Sequence, residues 1–156
     1  MRMIATVVVA LVAVACENTT SGRRADIGFS PTAAIAAQIL PQTLPFAAVT
    51  TACAVGPVFT TGFDLLIAET GALNVFMDRV TLHLLDGTNV GGPSITFQRS
   101  QLNAMFGSTL VAGTRAFSFR PQFACGLRRP GSIAADVLLI GAEGSVQSVS
   151  VNAVFQ

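Results

Sequence analysis

At 156 residues, 51% apolar and 11% charged, the chain is one domain's worth of polypeptide and long enough to bury a real core. Nine basic residues, all arginine, stand against eight acids, and that near-balance excludes general attraction to nucleic acid. Lys, Trp and Tyr are absent, and the arginine-only basicity reads as coding bias rather than a design for anion binding.

The first segment is residues 1–16. Arg2 supplies a positive start, residues 3–15 are an uncharged run of small and branched apolar residues, and the run closes on Ala13-Val14-Ala15 before Cys16. That is the layout of a secretory signal, and it is shorter than the roughly 20 residues a membrane-crossing helix needs. A signal that ends on cysteine behind small residues resembles the lipobox of bacterial lipoproteins. The resemblance implies a signal peptide over 1–15, removed to expose Cys16, and acylation of that cysteine as a membrane anchor. Glu17, in place of an Asp after the cysteine, implies the outer membrane, on its periplasmic or surface face. Ordinary cleavage at the same site, releasing a soluble protein with a free amino-terminal cysteine, is the alternative. Cysteine parity bears on the choice: Cys16, Cys53 and Cys125 are an odd set for an exported chain. Acylating Cys16 leaves two that can pair, and a multiply acylated cysteine holds stably where one chain holds only marginally.

Residues 17–26, ENTTSGRRAD, lack apolar periodicity and read as a tether. Residues 31–40 carry two readings. Ser30-Pro31 looks like a helix start, whereas 37–40 and 44–49 read as a strand interrupted by Pro41 and Pro45, as edge strands tolerate. The segment 16–44 is therefore assigned as tether and possible edge strand, and 45–156 as the folded domain.

From Phe46 the period is two, with turn residues at regular intervals. Strands are predicted over 46–55, 63–69, 73–85, 94–98, 114–119, 133–140 and 148–155. In the longest, Val80, Leu82 and Leu84 alternate with Thr81 and His83, and a bulge is expected at Asp78-Arg79. Asp86-Gly87 is a tight-turn dipeptide. Residues 100–107 break the pattern: Ser100 suits a cap, Leu102, Met105 and Phe106 share a helical face, and Gly107 suits the end, so a short helix should plug one end of the core. In the last strand Val149, Val151, Ala153 and Phe155 should face the core.

About seven short strands joined by short turns imply an all-β fold, a two-sheet antiparallel Greek-key sandwich. The pattern over 46–155 resembles the immunoglobulin-like or fibronectin type III-like class found in bacterial surface proteins, without the core Trp or tyrosine corner of antibody domains.

No catalytic, metal or cofactor site is expected. His83 is the sole histidine and falls on the solvent phase of its strand, too few for a usual zinc site. No G-x-S-x-G occurs to make a nucleophile elbow. The acids lie mostly beside glycine or in exposed phase, and Asp86 reads as a hairpin residue rather than a calcium ligand. Cys53 and Cys125, in an oxidising compartment, should form a disulfide contributing about 4 kcal/mol, with two buried thiols as the alternative. Between Asp86 and Asp136 there is no acid, while Arg99, Arg115, Arg120, Arg128 and Arg129 lie in that interval. Arg120, Arg128 and Arg129 are the candidate members of an anion-binding patch, unless the charges cancel against the acids of 64–86 within the fold.

The expectation is a non-catalytic, lipid-anchored binding or interaction module of the cell envelope, partnered by another envelope protein or an anionic glycan and not by nucleic acid. A structural accessory subunit of an envelope complex is the alternative, and a hydrolase a distant third.

Overall fold

The computed structural model describes residues 33–52, 57–123 and 130–156. In chain order these form β1 (Ile35–Leu40), β2 (Thr43–Leu44), β3 (Phe46–Ala52), β4 (Pro57–Thr61), β5 (Phe63–Glu69), β6 (Val75–Asp86) and β7 (Gly91–Gln98). There follow α1 (Arg99–Phe106), β8 (Leu110–Val111), β9 (Thr114–Phe119), β10 (Gln122–Phe123), β11 (Pro130–Gly141) and β12 (Val146–Phe155). The fold is all-β with one short helix. One sheet has the order β2-β12-β11-β6-β7 with β8 added on β6, a second is β1-β5-β9, and a third is β10-β4-β3. Every pairing is antiparallel except the short parallel one between β2 and β12.

The architecture is richer than the seven-strand, two-sheet expectation. β2, β8 and β10 have two residues each, too short to carry a period-two signal. β4 lies between the strands predicted over 46–55 and 63–69 and begins at Pro57, since proline is tolerated as the first residue of a strand, where its missing N–H costs least. Of the two readings of 31–40, the strand is the one found over Ile35–Leu40. It pairs residue for residue with β5, from Ile35 opposite Glu69 to Leu40 opposite Asp64. Ala33, Ile39 and Leu44 belong to the core, so the segment read as tether and edge strand is packed from Ala33 onward.

The bulge expected at Asp78-Arg79 is present. On β11, Leu138 and Leu139 are consecutive, but they face Arg79 and Met77, leaving Asp78 as the extra residue. Its effect is a change of phase. Val75 and Met77 are buried before it, and Val80, Leu82 and Leu84 after it, so one twelve-residue strand keeps its apolar side inward at both ends.

Inward from the six-stranded sheet point Val80, Leu82 and Leu84 of β6 and Ile133, Ala135 and Val137 of β11; Ala153 of β12 is buried in the same core, and Val149, Val151 and Phe155 are partly buried against that core. Facing them are Ile39, Leu65, Ile67, Phe117 and Phe119 from the β1-β5-β9 sheet, in the same buried cluster. Phenylalanines seal the contact. The ring of Phe119 lies 5.7 Å from Phe63, 5.5 Å from Phe97 and 5.3 Å from Phe106, and Phe106 lies 5.2 Å from Phe117. Such offset and edge-on pairs add to area burial of about 1.5–3 kcal/mol per side chain.

Helix α1 plugs the core through Leu102, fully buried, and Phe106, while Met105 is 46% exposed instead of sharing that face. Ser100 lies in the first turn and is not the cap. The N-cap is Gln98, whose backbone N–H donates to Gln101 Oε1 at 2.8 Å. Gly107, at φ 72°, closes the helix by donating its N–H to the Asn103 carbonyl, a left-handed geometry that favours glycine.

Two carboxylates hold turns. Glu69, 4% exposed, accepts the N–H of Gly71 at 2.7 Å and of Leu73 at 3.0 Å. Asp86 Oδ1 accepts the Thr88 hydroxyl at 2.7 Å and the N–H groups of Thr88 and Val90 at 2.8 and 2.9 Å, shaping the β6–β7 hairpin as the Asp-Gly dipeptide implied. The Thr88 hydroxyl and then the two N–H groups hold the Asp86 carboxyl below the ordinary carboxylate range.

Phe119→Ala removes the ring shared by both facing sheets and the helix and should cost about 4 kcal/mol in urea unfolding; a loss below about 1 kcal/mol would place the inter-layer contact elsewhere. Because the Asp86 pKa is depressed on folding, its contribution is present above the unfolded-state pKa and is lost as pH falls through the folded one. Asp86→Asn should therefore melt below the wild type at pH 7, with the gap in Tm closing as pH drops below about 4; a gap independent of pH would contradict this.

Candidate functional site

The alternation that buries one side of β7, β6, β11 and β12 puts a polar lattice on the other. Register aligns three rows across the four strands. One is Gln98, Arg79, Leu138 and Ser148; the next is Thr96, Thr81, Asp136 and Ser150; the third is Ser94, His83, Ala134 and Asn152. Ten of these twelve side chains are polar, and in this lattice Leu138 and Ala134 are the apolar exceptions. A shallow groove of about 330 Å³ runs over the lattice, lined by Arg79, Thr81, His83, Thr96, Gln98, Asp136 and Ser148.

Asp136 organises the centre. Its Oδ2 lies 3.1 Å from His83 Nε2, and its Oδ1 accepts the Ser150 hydroxyl at 2.5 Å. The Thr81 and Thr96 hydroxyls meet at 3.2 Å. His83 and Asp136 remain 37% and 49% exposed, a surface pair rather than a buried one. Sequence reading placed His83 correctly on the solvent phase but found no acid near it, because Asp136 is distant in sequence and reaches it diagonally across the β6–β11 register. Only aligning the polar phases of the two strands, with the Asp78 bulge counted, would have brought the pair together.

Serine, histidine and aspartate thus meet, but in an order unsuited to nucleophilic catalysis. In a nucleophile–base pair the imidazole stands between carboxylate and hydroxyl and takes the hydroxyl proton. Here the carboxylate stands between them. Ser150 donates directly to Asp136, so the histidine has no hydroxyl to activate at this point.

The arginines of the acid-free interval have separate positions. Arg115 donates to the Leu110 carbonyl at 2.8 Å and to the Phe106 carbonyl at 3.3 Å, a cation at the C-terminal end of α1, and lies over the Phe117 ring at 4.7 Å. Arg99 lies over Phe76 at 4.9 Å. Among the described residues none of the arginines has a carboxylate within 4.0 Å, the one ion pair being His83 with Asp136, so direct pairing with the acids of 64–86 is not how these charges are accommodated. Arg120 is exposed and lies between two clefts. One, of about 380 Å³, includes Pro41, Pro45, Asp64 and Ser118; the other, of about 300 Å³, includes Phe46, Thr60 and Thr61. Its expected companions Arg128 and Arg129 lie outside the described residues, as do Cys16, Cys53 and Cys125.

No family model matches the sequence, and no curated protein is detectably similar to it. Among solved structures, a structural-genomics target determined by X-ray crystallography is 9% identical over 78% of this chain and 82% of its own, with a TM-score of 0.49. The Bordetella pertussis protein described as ApaA is 14% identical over 80% of this chain and 92% of its own, with a TM-score of 0.45. The alkylpurine DNA glycosylase AlkC of Pseudomonas fluorescens, bound to DNA containing an abasic site analogue, is 12% identical; the match covers 80% of this chain and 31% of the glycosylase, with a TM-score of 0.37. At these identities and scores the likenesses assign neither a function nor a fold family to this chain.

Exposed pairs of this kind contribute little. A double-mutant cycle of His83→Gln and Asp136→Asn should give a coupling within about 0.5 kcal/mol by chemical denaturation; a value above about 2 kcal/mol would make the pair a structural element instead.

Proposed function

We propose that the protein is a non-catalytic binding module of the cell envelope, held at the outer membrane by lipid on Cys16. The observation that carries this reading is the polar lattice with its groove: a sheet face rich in donors and acceptors, where the Ser150 hydroxyl is bound to Asp136 and not to His83.

The scaffold proposed is the two-sheet Greek-key sandwich of the immunoglobulin-like class. Its support is the pair of strand orders β1-β5-β9 and β2-β12-β11-β6-β7, together with the change of sheet between β1, antiparallel to β5, and β2, parallel to β12. A disulfide between Cys53 and Cys125 is proposed with it. β3 ends just before Cys53 and β10 just before Cys125, and both run antiparallel to β4, so their final residues lie toward the same end of one sheet. Ala52 faces Pro57 and Phe123 faces Phe59 on that strand.

The accessory-subunit reading keeps one feature in its favour. β7 ends the path of its sheet and carries no charged residue over Gly91–Gln98, the kind of edge onto which another chain can pair.

Intact mass of the detergent-extracted protein tests the anchor and the bridge: the expected species starts at Cys16, carries acyl chains and lacks two hydrogens. An uncut, water-soluble and fully reduced chain would overturn both. Crosslinking in whole cells before extraction should capture an envelope component, and consistent recovery of an isolated chain would count against a binding role.

A further inference from the structure

We propose that the groove across β7, β6, β11 and β12 is a binding site for a carboxylate-bearing sugar, with Arg79 receiving the carboxylate. The inference deepens the binding-module reading and rests on it. Its starting point is a charge balance within the groove. Asp136, the one acid lining it, already has one oxygen against His83 and the other holding the Ser150 hydroxyl. Both of its oxygens are thereby engaged, while its charge remains part of the groove. Arg79, exposed and one row away, has no carboxylate within 4.0 Å among the described residues. Beside that engaged carboxylate the groove therefore presents one guanidinium without a carboxylate partner, and its planar fork matches a carboxylate in bidentate fashion.

The surroundings narrow the class. Gln98 lies directly opposite Arg79 on β7, and Ser148 lies beyond Leu138 in the same row. Thr81 and Thr96 fill the next row with paired hydroxyls. These are neutral groups that both donate and accept, the complement of a ligand carrying several hydroxyls. Among the described residues the one aromatic ring lining the groove is the small imidazole of His83, so the groove offers no large apolar ring for a nucleobase to stack on. At about 330 Å³ it sits at the small end of the range that ligand pockets occupy. One negative charge, many hydroxyls and small size describe a sugar acid, whether free or as a unit of an acidic polysaccharide.

The test uses the full-length protein in detergent, titrated with glucuronate, glucose and a short oligogalacturonate, by calorimetry and by backbone amide shifts of Thr81, Thr96 and Gln98. Saturable glucuronate binding that shifts these amides, with glucose at least about tenfold weaker, is expected. Arg79→Gln should remove that preference and leave the fold intact by circular dichroism, whereas Arg120→Gln should leave it unchanged. Tighter binding of the oligomer points to a polysaccharide source and equal binding per site to a free sugar acid, both within the proposal. Equal affinity for glucose and glucuronate, full glucuronate binding by Arg79→Gln, or its loss in Arg120→Gln overturns the assignment. Absence of sugar binding while whole-cell crosslinking still captures an envelope component overturns the sugar assignment alone; failure of both removes the binding-module reading as well.

Discussion

The ring of Phe119 pairs across strands with Phe63 on its own sheet, reaches Phe97 on the six-stranded sheet and meets Phe106 on the only helix among the described residues. One side chain on β9 thereby couples two sheets and the element that closes the core between them. A sheet alone offers one apolar face to water, and its stability depends on a partner layer covering it. With no Trp or Tyr in the chain, that covering falls to phenylalanine and the aliphatics, and the packing around Phe119 sets the spacing of both layers. Arg115 reinforces the same place. Its guanidinium covers Phe117 and binds the carbonyl at the end of α1, so a residue that looks like surface charge in the sequence instead fixes the helix to the strand beneath it.

The bulge at Asp78 matters for the opposite face. Without the extra residue, β6 would turn its apolar phase outward on one side of that point. With it, Val75 and Met77 as well as Val80, Leu82 and Leu84 face the core, and Arg79, Thr81 and His83 join the outward lattice. The candidate groove is thus a consequence of core packing. The residues that line it are those left over when four strands satisfy one buried surface.

Within that lattice Asp136 is shared between His83 and Ser150. The Ser150 hydroxyl is thereby bound to the carboxylate and not to the imidazole, and Arg79 has no carboxylate within 4.0 Å among the described residues. Arg99 and Arg115 lie over phenylalanine rings, and Arg120 stands between two separate clefts. Four arginines that lie close in composition terms have three different physical situations, decided by what each strand places beneath them.

The sequence alone determined what depends on local periodicity: the all-β class, most strand spans, the inward residues of β12, the helix ended by Gly107, the hairpin at Asp86-Gly87 and the bulge at Asp78-Arg79. Each follows from a repeat or a turn preference within about ten residues, where backbone geometry leaves few choices. It was silent on β4 and β10, which join β3 in the third sheet, since neither carries a period, and it missed the N-cap at Gln98 because a capping glutamine gives a weaker signal than Ser100 two residues on. The pairing of His83 with Asp136, and the assembly of Arg79, Gln98 and the threonines into one groove, were decided only by tertiary structure. Those contacts depend on which strands are neighbours and in what register, and register is set by the packing of side chains on the buried face, distant in sequence from the residues it brings together outside.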